Sequence, residues 1–231
     1  MPCDLDSRLV GEVLKNGIGV NYLYHSNSVQ TACTFLRCSG LLSRGAVEEK
    51  GLKQTWQKSD DTDKEFGVWY DIFLDDCDIH NRTKKINYYG PVLFVFNLAI
   101  LQRSNLPNVR VTKSNPQSWD ENQIEGDRYF VDLQEIENYY SYGTFAQMLT
   151  FRQTKDILLF EDYLEEVILD DPCREINGQD AFSQALQALK EAATIGQVNV
   201  EINKRKCSSD CECNIVYNNM SETTFTRLFS L

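Results

Sequence analysis

The 231-residue chain contains no G-x-S-x-G, no Walker-type glycine loop and no G-x-G-x-x-G. Their absence removes the commonest hydrolase, nucleoside-triphosphatase and Rossmann readings. Positive charge is also scarce, with 23 Lys and Arg against 34 Asp and Glu and a net charge of -11. A field of that sign repels phosphates at long range, which argues against a large basic nucleic-acid footprint while leaving room for a local basic groove. Long apolar runs are missing. The longest, Val92 to Leu101, is too short and too interrupted to span a bilayer, and MPCDLDSRLVGEVLKNG has neither the basic start nor the apolar core of a signal peptide. A cytoplasmic location with no membrane partner is expected. No Pro/Gly/Ser-rich linker, internal repeat or low-complexity segment divides the chain, and 42% hydrophobic residues suffice for one sizeable core. A single domain over residues 1–231 is expected, its core at about 18–170 and a C-terminal helix and strands in 171–231 as decoration.

Cysteine, in contrast, is plentiful. Eight cysteines in an intracellular chain read as reduced thiols, most of them small core residues. Cys207, Cys211 and Cys213 form C-x3-C-x-C, but no fourth ligand stands at regular spacing, so no metal is expected there. In chain order, IGVNYLYH (18–25) reads as a strand ending on His25. SNSVQTACTFLRCSG carries one buried helical face at Val29, Ala32, Cys33, Phe35 and Leu36, capped by Ser26 or Asn27 and closed by Gly40. Residues 45–66 read as an exposed loop or irregular helix. Strands are expected at Val68 to Leu74, in the run PVLFVF after Gly90, at Met148 to Phe151 and at Leu164 to Leu169. Residues 102–128, polar and broken by Pro107 and Pro116, read as an excursion. Gln179 to Thr194 is the clearest helix, and QVNVEIN and NIVYN read as strands in the tail.

Three constellations carry chemistry. His25, between a strand and a helix start, stands where side chains commonly face a ligand; its plainer reading is a partly buried histidine satisfied by a carbonyl. Asp75, Asp76, Asp78 and His80 are ligand types that a divalent metal accepts, and Asp75, Asp78 and His80 would serve a metal-dependent nuclease; the plainer reading is a solvated strand end. The loop before Met148 carries Tyr139, Tyr140, Tyr142 and Phe145, aromatic groups that either pack locally or wait for a flat ligand.

The order of these pieces resembles the ADP-ribosyltransferase fold, and within it the DarT-like toxins that modify nucleic acids. YHSNSVQTACTFLRCSGLLS matches the family's run of strand, histidine, helix and Gly-Leu-Leu-Ser-like turn. GVWYD matches its glycine, hydrophobic, aromatic strand, with Tyr70 as the pocket aromatic. FAQMLTFRQTKDILLFEDYLEEVIL has the layout of its recognition loop and catalytic strand, with Gln147 in the place of the catalytic glutamate. The resemblance covers roughly residues 18–170, and its motifs are short. It implies an α+β fold with a split, twisted β-sheet core and flanking helices. It also implies an NAD-dependent ADP-ribosyltransferase toxin with a nucleic-acid acceptor, RNA (including mRNA) or single-stranded DNA. A CmdT-type member would act on RNA, with an antitoxin and a chaperone as partners in phage defence.

The residues fit that chemistry. Cleaving the nicotinamide N-glycosidic bond of NAD develops positive charge on the ribose, so the site needs a carboxylate and a rigid grip on the ribose hydroxyls. His25, with Ser26 and Asn27, would hold the ribose, Tyr70 would stack on the nicotinamide, and Arg44 or Arg82 would meet the pyrophosphate. Gln147, His25 and Tyr70 are the expected catalytic positions. A glutamine supplies neither the charge nor the base, so the chain as it stands is expected to be inactive. Either a glutamate has been exchanged to silence a toxin, which is the favoured reading, or the protein binds without turnover. Tyr139, Tyr140, Tyr142 and Phe145 suit stacking on unpaired bases, favouring single-stranded RNA, whereas the acidic balance favours a protein acceptor. Arg82, Lys84 and Lys85, then Arg103, Arg110 and Lys113, then Lys204, Arg205 and Lys206 would make a basic groove if they converge.

Overall fold

Val92 to Phe96 is an unbroken run of strand formers, and the computed structural model, which describes residues 3–106 and 108–231, buries every one of them. In chain order the strands are β1 (Leu5–Asp6), β2 (Tyr22–Asn27), β3 (Gly40–Leu41), β4 (Ile72–Leu74), β5 (Val92–Asn97) and β6 (Asn108–Val111). There follow β7 (Leu149–Phe151), β8 (Leu158–Leu159), β9 (Leu164–Leu169), β10 (Glu175–Ile176), β11 (Gln179–Asp180) and β12 (Glu201–Lys204). The central apolar run becomes β5, which pairs antiparallel with β2 on one side and β9 on the other, while β12 adds in parallel outside β9. A strand covered on both faces needs no polar alternation, which is why this segment reads as continuous hydrophobic sequence. A second sheet runs β1-β6-β7-β4, antiparallel throughout. Strands β3-β8 and β10-β11 form two short ladders beside them. The fold is therefore α+β with a split sheet core.

The two large sheets touch through one bridge, in which the Tyr24 and Asp75 backbones exchange hydrogen bonds of 2.8 and 2.9 Å. Helix Val29–Arg37, which buries Ala32, Cys33, Phe35 and Leu36, packs against helix Ala181–Ile195. One continuous cluster of buried side chains runs from Val10 and Leu14 to Phe225, Leu228 and Phe229. No helix among the described residues is long and apolar enough to cross a membrane.

Several sequence expectations need correction. His25 lies inside β2 rather than at its end. Helix Val29–Arg37 is capped by Ser28, whose hydroxyl accepts from the Thr31 amide, rather than by Ser26 or Asn27. The left-handed turn after it falls on Ser39 (φ 56°), which leaves Gly40 in β3. Val68 to Asp71 is turn, with strand only from Ile72. Residues 102–128 are no excursion: they supply β6 to the middle of a sheet and the buried ring of Trp119, while Pro107 lies outside the described residues. Segment 45–66 holds two ordered helices, Arg44–Glu49 and Asp60–Glu65. NIVYN is helix (Cys213–Asn219), because Tyr217 on that helix is drawn into the core and overrides the local strand preference. The segment before residue 18 adds β1 to one large sheet and the segment after 170 adds β12 to the other, and both add side chains to the same core cluster.

Gly90 closes the turn before β5 against the end of β2. A Cβ there would lie 2.0 Å from the Asn27 carbonyl carbon and oxygen. Gly90→Ala must therefore move one backbone off another, at a cost of about 2 kcal/mol or more. Thermal denaturation should show a Tm lower by roughly 5 °C or more. Gly126→Ala, whose methyl would meet Val131 Cγ1 at 3.5 Å, should leave Tm nearly unchanged.

Candidate functional site

Beyond the Tyr24–Asp75 bridge the edges of β2 and β4 part, and a cavity opens between them. Its volume is about 100 Å³, below the roughly 300 to 1,000 Å³ of drug-sized sites, so a ligand as long as a dinucleotide would extend through its open mouth. His25 spans the gap. Its Nδ1–H donates to the Phe73 carbonyl at 2.9 Å, replacing the next rung of strand pairing, and its ring leans on Phe35 at 5.7 Å between centroids. That bond leaves Nε2 as the acceptor nitrogen, 3.5 Å from the Asn27 amide nitrogen. Burial lowers the pKa of His25, so the ring is a neutral acceptor at physiological pH.

Ser26 and Asn27 also line the cavity. The Ser26 hydroxyl accepts from Asn87 Nδ2 at 2.9 Å, and Asn27 Oδ1 accepts from the Ser28 amide and from Gln57 Nε2. Arg44 enters from the first position of its helix, whose cap, Ser43, accepts from the Ala46 amide at 3.2 Å and donates to the Thr154 carbonyl. The guanidinium is buried and paired side-on with Asp60, Nε to Oδ1 at 2.6 Å and Nη2 to Oδ2 at 2.7 Å, while Nη1 has no hydrogen-bond partner. A charged donor held on Asp60 and on the Thr55 carbonyl at 3.0 Å, with one nitrogen still unmatched, suits an incoming anion.

The structure thus brings His25, Ser26, Asn27 and Arg44 together. Tyr70 it leaves out: its ring covers the backbone of Gly45 and its hydroxyl donates to Glu49 at 2.5 Å on the outer surface. Trp69 lines the cavity instead, one residue earlier, with the Arg44 guanidinium 5.5 Å from its ring centroid. Arg82 is exposed and stacks over Phe145 at 4.9 Å, away from the cavity. Gln147 does not line the cavity, although the next residue, Met148, does. Its Oε1 accepts from the Ser141 amide at 2.7 Å, and its Nε2 is 3.4 Å from the Tyr139 carbonyl, so its amide latches the preceding loop.

The loop itself is anchored by Asp76, which the sequence offered only as one acid of the cluster with Asp75, Asp78 and His80. Its buried Oδ2 accepts from the Tyr140 hydroxyl at 2.9 Å and from the Gly143 amide at 2.8 Å. Tyr140 is consequently an anchor buried against Phe130 and presents no face to a ligand. Tyr139, Tyr142 and Phe145 remain exposed.

Asp75, Asp78 and His80 do not converge on one ion. Asp75 faces the cavity, Asp78 caps helix Ile79–Thr83 and pairs with Arg205, and His80 turns to Asp170. The cysteines of the C-x3-C-x-C run do have a fourth neighbour, and it is His80, 127 residues before Cys207. Nor do the basic segments make one groove. Arg103 is buried on Leu159 O and Glu161, Arg110 on Asp4 and Glu125, and Arg205 on Asp78 and Asp170. Their charge is spent inside the protein.

No protein-family model matches the chain, and no curated protein does. Among solved structures, the chain is similar to Thermus sp. 2.9 DarT in complex with ADP-ribosylated ssDNA, with a TM-score of 0.49 and 12% identity over 81% of this chain and 95% of that one. It is likewise similar to Thermus sp. 2.9 DarT in complex with NAD+, with a TM-score of 0.46 and 12% identity over 81% and 96%.

Asp75 gives the cavity a pH signature. Burial first, and Asp76 second, push its carboxyl up to about 7. The folded chain then holds a proton that the unfolded chain has released above its ordinary value of 3.8, so stability falls as pH rises through that window and levels off above it. Asp75→Asn is expected to flatten the fall between about pH 4 and 7 and to raise Tm at pH 8. Thermal melts of the two proteins across that range test it; parallel curves would mean that the carboxyl is not held protonated.

Proposed function

We propose that this cavity binds NAD, that the protein is an ADP-ribosyltransferase in design, and that its acceptor is a single-stranded nucleic acid, RNA in the first instance. The observation that carries the reading is the entry of His25 and Asn27 from one segment, and of Arg44 from another, into one cavity beside a flat aromatic ring. The neutral Nε2 of His25 accepts a hydrogen bond from a ribose hydroxyl. The free Nη1 of Arg44 meets a pyrophosphate oxygen, and Trp69 offers the face that the sequence had assigned to Tyr70.

Turnover needs a carboxylate to stabilise the developing ribosyl cation and to take the acceptor's proton. Gln147 lacks the charge, and its amide is turned to Ser141 and Tyr139 rather than into the cavity, so the chain binds without reacting; a glutamate there would have to swing from the loop toward Met148 to act. The exposed rings of Tyr139, Tyr142 and Phe145, with Arg82 stacked on the last, form the acceptor surface. Base stacking there contributes about 1 to 3 kcal/mol per base. A toxin of this kind, with an antitoxin and a chaperone in phage defence, follows from the resemblance of the motifs.

The chain as it stands should bind NAD in calorimetry, and Arg44→Ala should weaken binding by tenfold or more, about 1.4 kcal/mol. Gln147→Glu should gain NAD-dependent labelling of RNA and toxicity in cells. A Gln147→Glu protein that neither binds NAD nor labels any macromolecule would remove the enzyme reading. Labelling of protein instead, with acceptor binding insensitive to salt, would move the acceptor from nucleic acid to a protein side chain.

A further inference from the structure

His80 Nε2 and the thiols of Cys207, Cys211 and Cys213 come from three segments that the fold brings together, and all four atoms lie within 4.8 Å of one another. His80 sits on the short helix Ile79–Thr83, Cys207 and Cys211 on the loop after β12, and Cys213 at the start of the next helix. Nε2 is 3.4 Å from Cys211 Sγ and 3.8 Å from Cys207 Sγ, and Cys207 Sγ is 3.5 Å from Cys213 Sγ. A tetrahedral zinc ion with Zn–S of about 2.3 Å and Zn–N of about 2.0 Å requires ligand edges of roughly 3.5 to 3.8 Å.

A second observation points the same way. His80 Nδ1–H donates to the buried Asp170 Oδ2 at 2.7 Å, which fixes the tautomer and turns the Nε2 lone pair toward the sulfurs. A carboxylate behind a histidine is the common support of a zinc ligand.

We propose that His80, Cys207, Cys211 and Cys213 bind one structural zinc ion. Four protein ligands close the coordination sphere and leave no position for water or substrate, so the role is to hold the fold. The ion joins the loop after β12 to helix Ile79–Thr83, a junction already started by the Glu212 amide on the Lys84 carbonyl at 2.7 Å. That helix also carries Arg82 of the exposed aromatic surface. Binding releases three thiol protons to solvent as the thiolates coordinate the metal.

Elemental analysis of the full chain, purified from zinc-supplemented cells without chelator, should give one zinc per molecule. Replacement by cobalt should give thiolate-to-cobalt charge transfer and the visible bands of a tetrahedral site. Cys211→Ser should lose the metal, and Cys173→Ser, outside the cluster, should keep it. Asp170→Asn leaves all four ligands and should weaken zinc affinity about 10- to 100-fold in competition with a chromogenic chelator. If Cys211→Ser does not fold, the cobalt spectrum of the native chain decides. A native chain that carries no zinc and shows no charge-transfer band, or a Cys207–Cys213 disulfide found by mass spectrometry in protein purified under reducing conditions, would overturn the proposal.

Discussion

The exchange of two hydrogen bonds between Tyr24 and Asp75 is the constraint on which the site depends. On one edge β2 pairs with β5 at all six residues, so the strand cannot shift without losing its whole ladder. On the other edge its backbone, among the described residues, bridges to the second sheet at Tyr24 alone. One residue further on, the backbones have parted and a side chain, His25, carries the connection to Phe73. The cavity is therefore the wedge between two sheets that share a single rung. Its histidine is oriented by the same separation that makes room for a ligand, and burial keeps the ring neutral against the opposing pull of the Phe73 carbonyl on Nδ1–H.

Motif order was legible in the sequence because it reflects chain continuity. A strand into a capped helix places His25 and Asn27, and a turn into a second helix places Arg44, and all three line one cavity. Register was not legible. GVWYD carries two adjacent aromatics, and whether Trp69 or Tyr70 faces the cavity depends on a turn at Val68 to Asp71 that reads like strand. The same limit applies to charge. Arg103, Arg110 and Arg205 look like surface cations in sequence, but each is buried on carboxylates contributed by distant segments, which no local pattern encodes. Tyr140 was indistinguishable from its exposed neighbours until Asp76, 64 residues away, took its hydroxyl.

The amide at position 147 has a conformational role as well as a chemical one. Its oxygen accepts from Ser141 while its nitrogen lies toward the Tyr139 carbonyl, a donor-and-acceptor pairing that a carboxylate cannot reproduce. A glutamate keeps the Ser141 bond but sets a second anionic oxygen near a carbonyl, which favours turning the group away from Tyr139. Glutamine thus removes the charge and secures the loop in the same step, with Asp76 holding the loop's other end through Tyr140 and Gly143.

Asp170 plays the corresponding part at the C-terminal side. A buried carboxylate is costly unless its oxygens are satisfied, and here donors arrive from His80, Tyr217 and Arg205, on three separate segments. The cost of burial is offset only when all three are in place, so the carboxylate selects the arrangement in which the tail closes over the end of β9. Arg205 extends the network to Asp78, at the cap of the helix that bears His80. The imidazole then belongs to two systems at once, one nitrogen bound to the carboxylate and the other facing three thiols. Whatever draws the sulfurs together on Nε2 also strengthens the hydrogen bond at Nδ1, because a ring that gives up electron density on one side donates more strongly on the other. Residues 205 to 217 are for that reason part of the fold's closure and not an appendage to it.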